Sequence, residues 1–277
     1  NLVEGEIYVG NSTTPDPNVA ARGFTYYQWM PDSYADDGIV DKGIVDNLAW
    51  QVINTGYPPG ITGMIGSGFY HGEIRFNPAI APSWWAWNTD FAATSMPDNT
   101  VDLYSTTLHE ALHVLGFDSG IDATGAASLE FTVPASTDTY KRYDMFLESG
   151  NNFLITNPNV LADPYNWNFT SNPSNLVATS GGCSIDYDYN GSAYPIHTPS
   201  TFSGGSLRHL DNDCATPVAN YVMHSIVLDA IHRTPTPEEV NILCSLGYKT
   251  SQYYGTYTNG QWSHNHEFYT SCDNNMP

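Results

Sequence analysis

Hydrophobic residues recur at helical spacing in three stretches of the chain, and each stretch predicts a helix. In the first, residues 37–54, the apolar positions share one face and Gly56 follows the last of them. These positions are Val40, Ile44, Leu48, Ala49 and Val52. We expect this stretch to be the first long helix and to pack on a sheet.

The second helical stretch covers residues 108–115, which carry leucine and alanine at helical spacing. Asp98 and Thr100 are candidate N-caps upstream, and Gly116 is typical of a left-handed helix end. The third stretch begins with a capping box at Thr236 and Glu239, with proline between them at the first helical position. Gly247 closes it, and its inward residues are predicted to be Val240, Leu243 and Cys244.

Strands are indicated where apolar and polar residues alternate. Ile74 and Phe76 alternate with Glu73 and Arg75, which predicts one buried and one exposed face. This strand is either an ordinary core strand or a strand at the rim of a cleft. In the second case an extended substrate could pair with the free edge of the strand. Other predicted elements are strands in Gly5–Val9 and Phe24–Trp29, and a strand or short helix in Tyr140–Leu147.

The second helix carries the motif H-E-x-x-H as His109, Glu110 and His113. Residues four apart lie on one face of a helix, so both imidazoles can reach the same zinc ion. Glu110 points into the same cleft without binding the metal. It is therefore placed to accept a proton from a zinc-bound water. A buried helix with two hydrogen-bonded histidines is the alternative interpretation.

Composition limits the possible partners. The 277 residues include 29 acidic and 8 basic side chains, a formal charge of −21. This argues against nucleic acid or an anionic membrane as a partner, because both require patches of Lys and Arg. No stretch is long and apolar enough to span a bilayer, and we interpret the chain, which begins at Asn1, as a mature or trimmed form.

Four cysteines occur without a C-x-x-C pair, which argues against a cysteine zinc site and favours two disulfides in an oxidising compartment. Three pairings are possible. We favour Cys183 with Cys214 and Cys244 with Cys272, because these close the shorter loops. The protein is accordingly predicted to be secreted.

A catalytic zinc usually has three protein ligands and one open position. Three residues beyond Gly116, where many metzincins place the third histidine, this chain has Ser119. Glu130 and Glu148 are candidates for a glutamate ligand, but neither lies in a convincing second helical motif. Among the remaining histidines His209 stands out, because Met223 follows fourteen residues later in a segment resembling a Met-turn. His197 and His224 are the reserve candidates.

Together these motifs resemble the leishmanolysin family of metzincins. The shared features are H-E-x-x-H-x-x-G-F, a long insertion, Gly-Ser-x-x-His, a Met-turn and a capped helix ending in Leu-Gly-Tyr, over residues 72–117 and 203–248. The resemblance implies that His109, His113 and His209 bind zinc, that Glu110 is the general base, and that Met223 forms the Met-turn. The family's third-histidine motif is usually tighter, and its protozoan members have many more cysteines.

A second metal is suggested by Asp186, Asp188, Asn190 and Gly191, which have the first ligand spacings of a calcium loop. The closing glutamate is absent, since His197 stands in its place. An Asx-rich turn is therefore the favoured interpretation, and a calcium site is the alternative.

We predict an α+β, zincin-like fold, with a twisted sheet and long helices in the N-terminal subdomain. Residues 1–117 form this catalytic subdomain. Residues 118–277 form a loop-rich subdomain that carries the insertion, the third ligand and the Met-turn, with the active-site cleft between the two. The expected function is that of a secreted, monomeric zinc endopeptidase acting on proteins or peptides. The alternatives are a non-catalytic adhesive or glycan-binding domain, and a zinc amidase acting on cell-wall peptides.

Overall fold

The structure is a computed structural model, and it describes the site region and most of the elements predicted above. The described residues are 7–11, 19–27, 43–55, 71–78, 86–91, 96–127, 129–131, 137–150, 152–156, 168–169, 176–177, 183–214, 220–225, 231–248, 256–258 and 261–263. They form a mixed α/β structure with short helices and small sheets.

Three α-helices lie in these residues: α1 (Leu48–Thr55), α2 (Leu103–Val114) and α3 (Pro237–Ser245). The strands of the first half are β1 (Ile7–Asn11), β2 (Ala21–Thr25), β3 (Gly43–Val45), β4 (Gly72–Phe76), β5 (Ala86–Asn88) and β6 (Thr100–Asp102). Those of the middle are β7 (Leu129–Phe131), β8 (Thr137–Lys141), β9 (Leu147–Ser149), β10 (Asn152–Phe153), β11 (Ile155–Thr156) and β12 (Asn168–Phe169). The last are β13 (Asp186–Tyr189), β14 (Ser192–Pro195), β15 (Thr256–Thr258) and β16 (Gln261–Ser263).

The sheet that positions the site has the order β1-β4-β2, with β4 parallel to β1 and antiparallel to β2. The alternation of residues 73–76 thus predicted a strand correctly, and of the two interpretations left open the ordinary core strand is confirmed. Strand β4 is central, and among the described strands β2 lies at the edge of this sheet. Helix α2 packs against β2 and β4, where Gly72 lets β4 approach Val114 closely.

The remaining strands form small sheets: β10-β9-β13-β14, β3-β8-β7, and the pairs β5-β6, β11-β12 and β15-β16. Residues 140–147 combine both predicted possibilities, since β8 leads into a 3₁₀ helix at Arg142–Phe146 and then into β9. Near the start, β1 and β2 overlap the two predicted strands but are shifted by a few residues.

The prediction of one long helix over residues 37–54 is wrong in its first half. Helix α1 begins at Leu48, and the preceding residues 43–45 form β3, parallel to β8. Asn47 ends the strand and caps the helix, because its Oδ1 accepts from the Trp50 amide at 2.7 Å. Tertiary pairing with a strand nearly 100 residues away has overridden the helical periodicity. Residues 37–42 lie outside the described ones.

Helices α2 and α3 end where the sequence predicts, and α3 also begins there, but α2 has a different N-cap from the predicted ones. Gly116 has φ of +99° and Gly247 has φ of +93°, the left-handed conformation expected after a helix. The Thr236–Glu239 capping box is confirmed, although Ile242 is more deeply buried than Val240. The predicted caps Asp98 and Thr100 are wrong, because Asp102 caps α2 by accepting from the Ser105 amide at 3.0 Å.

The main hydrophobic core joins the end of α2 to the insertion, the third-ligand segment and α3. Its largest fully buried side chains include Phe117, Tyr143, Tyr187, Leu147, Met223 and Ile242. The core therefore ties both halves of the predicted site to one packed unit. In the described part of the chain, no helix has the length and hydropathy needed to cross a membrane.

One predicted disulfide is confirmed, between Cys183 and Cys214. Cys244 is also disulfide-bonded, and its predicted partner, Cys272, lies outside the described residues. The first bridge closes a 31-residue separation that contains β13, β14 and His209.

The predicted calcium segment is a β-hairpin. Asp186 and Asp188 lie on β13, and the turn to β14 is made by Asn190 and Gly191, with φ of +55° and +76°. Asparagine followed by glycine in this conformation is the preferred two-residue hairpin turn. The favoured interpretation as a turn is confirmed, and the alternative of a calcium site stays a prediction. Among the described residues, only three histidines group closely enough to hold a metal.

Candidate metal centre

The three predicted ligands meet at one point. His109 and His113 project from successive turns of α2, while His209 reaches them from a segment about 100 residues further along the chain. The Nε2 atom of His209 lies 3.3 Å from that of His113 and 3.3 Å from that of His109. His109 and His209 are buried, at 3% and 8% exposure, and His113 is partly buried.

Each of these rings is held by a backbone carbonyl on its other nitrogen. The Nδ1 atoms of His109, His113 and His209 lie 2.7, 2.8 and 2.8 Å from the carbonyl oxygens of Val222, Phe117 and Gly205. A carbonyl oxygen can only accept, so each Nδ1 carries the hydrogen and donates. The three Nε2 atoms therefore present lone pairs to one another.

Lone pairs 3.3 Å apart repel unless a cation lies between them, since there is no hydrogen on either nitrogen to form a bond. Tetrahedral nitrogen ligands about 2.0–2.1 Å from a zinc ion lie roughly 3.3–3.4 Å apart. Both measured Nε2 separations fit that spacing. Three neutral imidazoles with carbonyl-bound Nδ1 atoms are also the donor set and orientation of a catalytic zinc site.

Burial favours the neutral rings. It lowers the pKa of His109 to about 4, and the pKa values of His113 and His209 well below the usual range. At neutral pH the three rings are unprotonated, which is the form that binds a metal.

Glu110 lies in the same cleft and is oriented by the edge strand. Its Oε2 accepts a short hydrogen bond from the backbone amide of Gly23 on β2. Burial raises the pKa of Glu110 to about 8, whereas this hydrogen bond and the charge of Arg22 favour the ionised form. A divalent cation beside the carboxylate would favour the ionised form further.

Gly23 allows this contact because it has no side chain. A Cβ at this position would lie 2.4 Å from the carbonyl oxygen of Glu110 and 3.1 Å from the Cβ of His113. Real Cβ atoms do not approach backbone oxygen so closely. Strand β2 can therefore run against the motif of α2 only with glycine here.

His209 is fixed by strand-like bonds on both sides. Its carbonyl accepts from the His197 amide at 2.8 Å, and the next amide, of Leu210, donates to the Met223 carbonyl at 2.8 Å. Leu207, two residues earlier, is fully buried with φ of +65°, an unusual conformation for a branched side chain. Packing holds the ligand segment in one conformation.

Met223 lies in a tight turn, as predicted, and is fully buried. The His224 amide closes the turn on the Tyr221 carbonyl at 3.4 Å, and the Val222 carbonyl between them is the acceptor for His109. The Met223 amide in turn donates to Oε1 of Glu239 on α3, at 2.6 Å. The turn thereby couples α3 to the orientation of His109.

Ser119, which occupies the usual position of a third histidine, has a different role. Its Oγ donates to Oδ1 of Asp144 at 2.7 Å, and the side chain is only 1% exposed. The fully buried Asp144 also accepts from the amides of Gly120 and Lys141, and burial raises its pKa to about 6. Ser119 thus anchors the insertion to the end of α2.

The other candidates lie outside the cluster. His197 pairs with Asp211 at 3.5 Å, and neither it nor His224 belongs to the group of converging ligands. Glu148 lies on β9 opposite Asp186, away from the histidines, and the side chain of Glu130 on β7 is not described.

The cleft around the cluster has a volume of about 780 Å³. Strand β2 forms one wall, with residues 21–25 lining it, and helix α2 contributes His109, Glu110 and His113. The facing wall includes Gly204, Gly205 and Ser225. Among the described strands, β2 is therefore the edge strand that lines this cleft.

Sequence reasoning missed the groups that orient the predicted residues. The amide of Gly23 and the carbonyls of Val222, Phe117 and Gly205 carry no signal, because backbone donors and acceptors occur along the whole chain. Glu239 was predicted only as a helix cap. Comparison of the chain with models of known protein families gives no match, and neither do curated proteins or solved structures.

Proposed function

We propose that this protein is a zinc-dependent endopeptidase. The observation that carries the proposal is the convergence of three neutral, carbonyl-oriented imidazoles on one point, 3.3 Å apart, with Glu110 in the same cleft. A zinc ion bound there would lower the pKa of a coordinated water and polarise the carbonyl of the scissile bond.

Glu110 is proposed as the general base. Its carboxylate faces the cleft and is held by the Gly23 amide, so that it can accept a proton from the attacking water and later donate it to the departing amine. The three histidines keep their Nδ1 hydrogens on backbone carbonyls throughout, so they bind the metal without exchanging protons.

An extended peptide is the substrate that this cleft suits. Strand β2 lies at the edge of its sheet in the described residues, and its residues 21–25 line the cleft beside Glu110. An extended chain can add to such an edge through main-chain hydrogen bonds, which are indifferent to sequence. Secretion of the enzyme is also part of the proposal, and the Cys183–Cys214 bridge supports it.

Digestion of casein by wild type and Glu110→Gln tests the proposal. Wild type should cleave, 1,10-phenanthroline should abolish cleavage, and added zinc should restore it. The variant should retain its zinc but lose activity by roughly 10²–10⁴-fold, the usual contribution of a general base. Glu148→Gln, on β9 away from the histidines, is the matched control and should remain active. Cleavage by Glu110→Gln at the wild-type rate would overturn the assignment.

The same experiment distinguishes the main rival, a non-catalytic adhesive domain. That domain would bind metal but would leave casein and a general peptide library intact at every zinc concentration. A zinc amidase would cleave cell-wall peptides in preference to the library.

A further inference from the structure

The cleft concentrates positive charge in a strongly acidic protein. The chain has only eight Lys and Arg residues, and three of them line this one cleft: Arg22, Lys141 and Arg208. Among the described residues, its acidic lining consists of Glu110, which the proposed mechanism uses, and Asp118. This local balance is opposite in sign to the net charge of −21.

Two of these cations share a single carboxylate. Lys141 binds Oδ2 of Asp118 closely and also donates to the Ser119 carbonyl at 3.2 Å. Arg208 forms an ion pair with Oδ1 of the same Asp118, its Nε lying 3.2 Å away, and donates from Nη2 to the Ser119 carbonyl at 3.4 Å. Lys141, Arg208 and Asp118 together therefore carry a net charge of one positive unit.

The excess charge is exposed on Arg208. The Lys141 side chain is 9% exposed and lies over the Tyr27 ring, whereas that of Arg208 is 35% exposed. The guanidinium has five N–H donors in a planar fork, and its contacts with Asp118 and the Ser119 carbonyl are made by Nε and Nη2. Arg208 lines the same cleft as Glu110 and the proposed ligand His209, so the side chain belongs to the wall of the proposed reaction site.

We infer that Arg208 makes this cleft selective for substrates with a carboxylate close to the cleaved bond. The inference rests on the proposed peptidase function and names its substrate class. A carboxylate can accept two parallel N–H bonds from the guanidinium fork, while a lysine or arginine of the substrate would be repelled. The long-range field of the protein is negative, so this selection acts at short range and not through steering.

The carboxylate can belong to an acidic side chain or to the C-terminus of the peptide. Internally quenched peptides separate these sources. Each position around the cleaved bond is tested as Glu and as Gln, and each peptide is prepared with a free and with an amidated C-terminus. Assays in 0.15 M salt limit the contribution of net charge. Zinc content is measured for every preparation.

Wild type should cleave the Glu peptide roughly two- to fivefold more efficiently than the Gln peptide at one position, as expected for a partly exposed ion pair. Arg208→Gln should reduce this ratio of kcat/KM values to about one, and Arg208→Lys should retain part of it. Arg75→Gln is the matched control, because Arg75 is a half-exposed, salt-bridged arginine on β4 outside the cleft. It should keep the wild-type ratio.

A Glu/Gln ratio near one at every position of wild type, together with no effect of C-terminal amidation, would overturn the inference. So would an unchanged ratio in zinc-loaded Arg208→Gln. If Arg208→Gln fails to fold, the Glu/Gln ratios of wild type and of Arg208→Lys still test the inference. Absence of cleavage of every peptide would instead refute the peptidase function itself.

Discussion

The backbone amide of Met223 donates to the Oε1 atom of Glu239, at 2.6 Å, and so joins the turn beneath the histidine cluster to the N-terminus of α3. The other carboxylate oxygen accepts from the Thr236 amide at 2.7 Å. A single buried side chain thereby closes a helix cap and fixes the turn whose Val222 carbonyl orients His109. Burial raises the pKa of Glu239 to about 7.

Glu239→Gln should weaken the link between the turn and α3. The glutamine side chain has only one oxygen, so its NH₂ must face either the Met223 amide or the Thr236 amide, and both of these are donors. We expect a loss of about 1–3 kcal/mol in the free energy of unfolding and weaker zinc binding. Urea unfolding and chelator competition measure the two effects. Glu238→Gln, one residue earlier and partly exposed, should change stability by less than ~0.5 kcal/mol. Equal effects of the two substitutions would contradict this role of Glu239.

Gly23→Ala should reduce turnover without removing the metal. The added methyl would lie 2.4 Å from the Glu110 carbonyl, so β2 must move away and its amide no longer holds the carboxylate. A displacement of this size should lower kcat roughly ten- to a hundredfold. Steady-state kinetics on zinc-loaded protein provide the measurement.

Gly72→Ala, on the neighbouring strand β4, is the control for that variant. Its added methyl would lie 2.3 Å from a side-chain carbon of Val114 and so would crowd the same helix. It should lower stability and leave kcat much closer to wild type. If both alanine variants reduce kcat equally, the Gly23 amide has no particular role in positioning Glu110.

Ser119→His should not create a zinc ligand, although it restores the spacing common among metzincins. Ser119 is 1% exposed and its Oγ donates to Asp144, so an imidazole would overpack the site and remove one of the hydrogen bonds to the buried carboxylate. We expect a loss of about 2–4 kcal/mol in stability. The zinc content of the double variant His209→Ala/Ser119→His tests this prediction. It should stay as low as in His209→Ala, and recovery of zinc would show that a histidine at position 119 can bind it.

The disulfide should stabilise the segment that presents His209. Cys183 and Cys214 are 31 residues apart, and they enclose the β13–β14 hairpin together with the ligand. Replacing both by serine should cost about 3–4 kcal/mol according to the loop-entropy model. Thermal unfolding of the metal-free proteins tests this expectation without a contribution from zinc, and an unchanged midpoint would contradict it.

The sequence predicted best what local geometry determines. Residues four apart on a helix share a face, so the pairing of His109 with His113 follows from spacing alone. The capping box at Thr236 and the glycine helix ends were predicted for the same reason. His209 needed a longer inference, because nothing local connects it to a helix about 100 residues away.

Predictions failed where tertiary pairing competes with local preference. Ile44 has helical periodicity with Leu48, yet it pairs with Tyr140 in a parallel ladder and becomes part of a strand. Elsewhere the sequence left a choice open: the alternation in β4 fitted a core strand or a rim strand, and β1 and β2 flank it. The Asn190–Gly191 pair lies in the turn between β13 and β14, which agrees with the interpretation that the sequence favoured.

The zinc content of purified wild type and His209→Ala tests the central claim most directly. After dialysis, inductively coupled plasma mass spectrometry should find about one zinc per wild-type chain and far less in the variant, because two histidines alone leave the site incomplete. His197→Ala and His224→Ala should keep the wild-type content. A full zinc complement in His209→Ala, or a wild type that binds no zinc, would contradict the account.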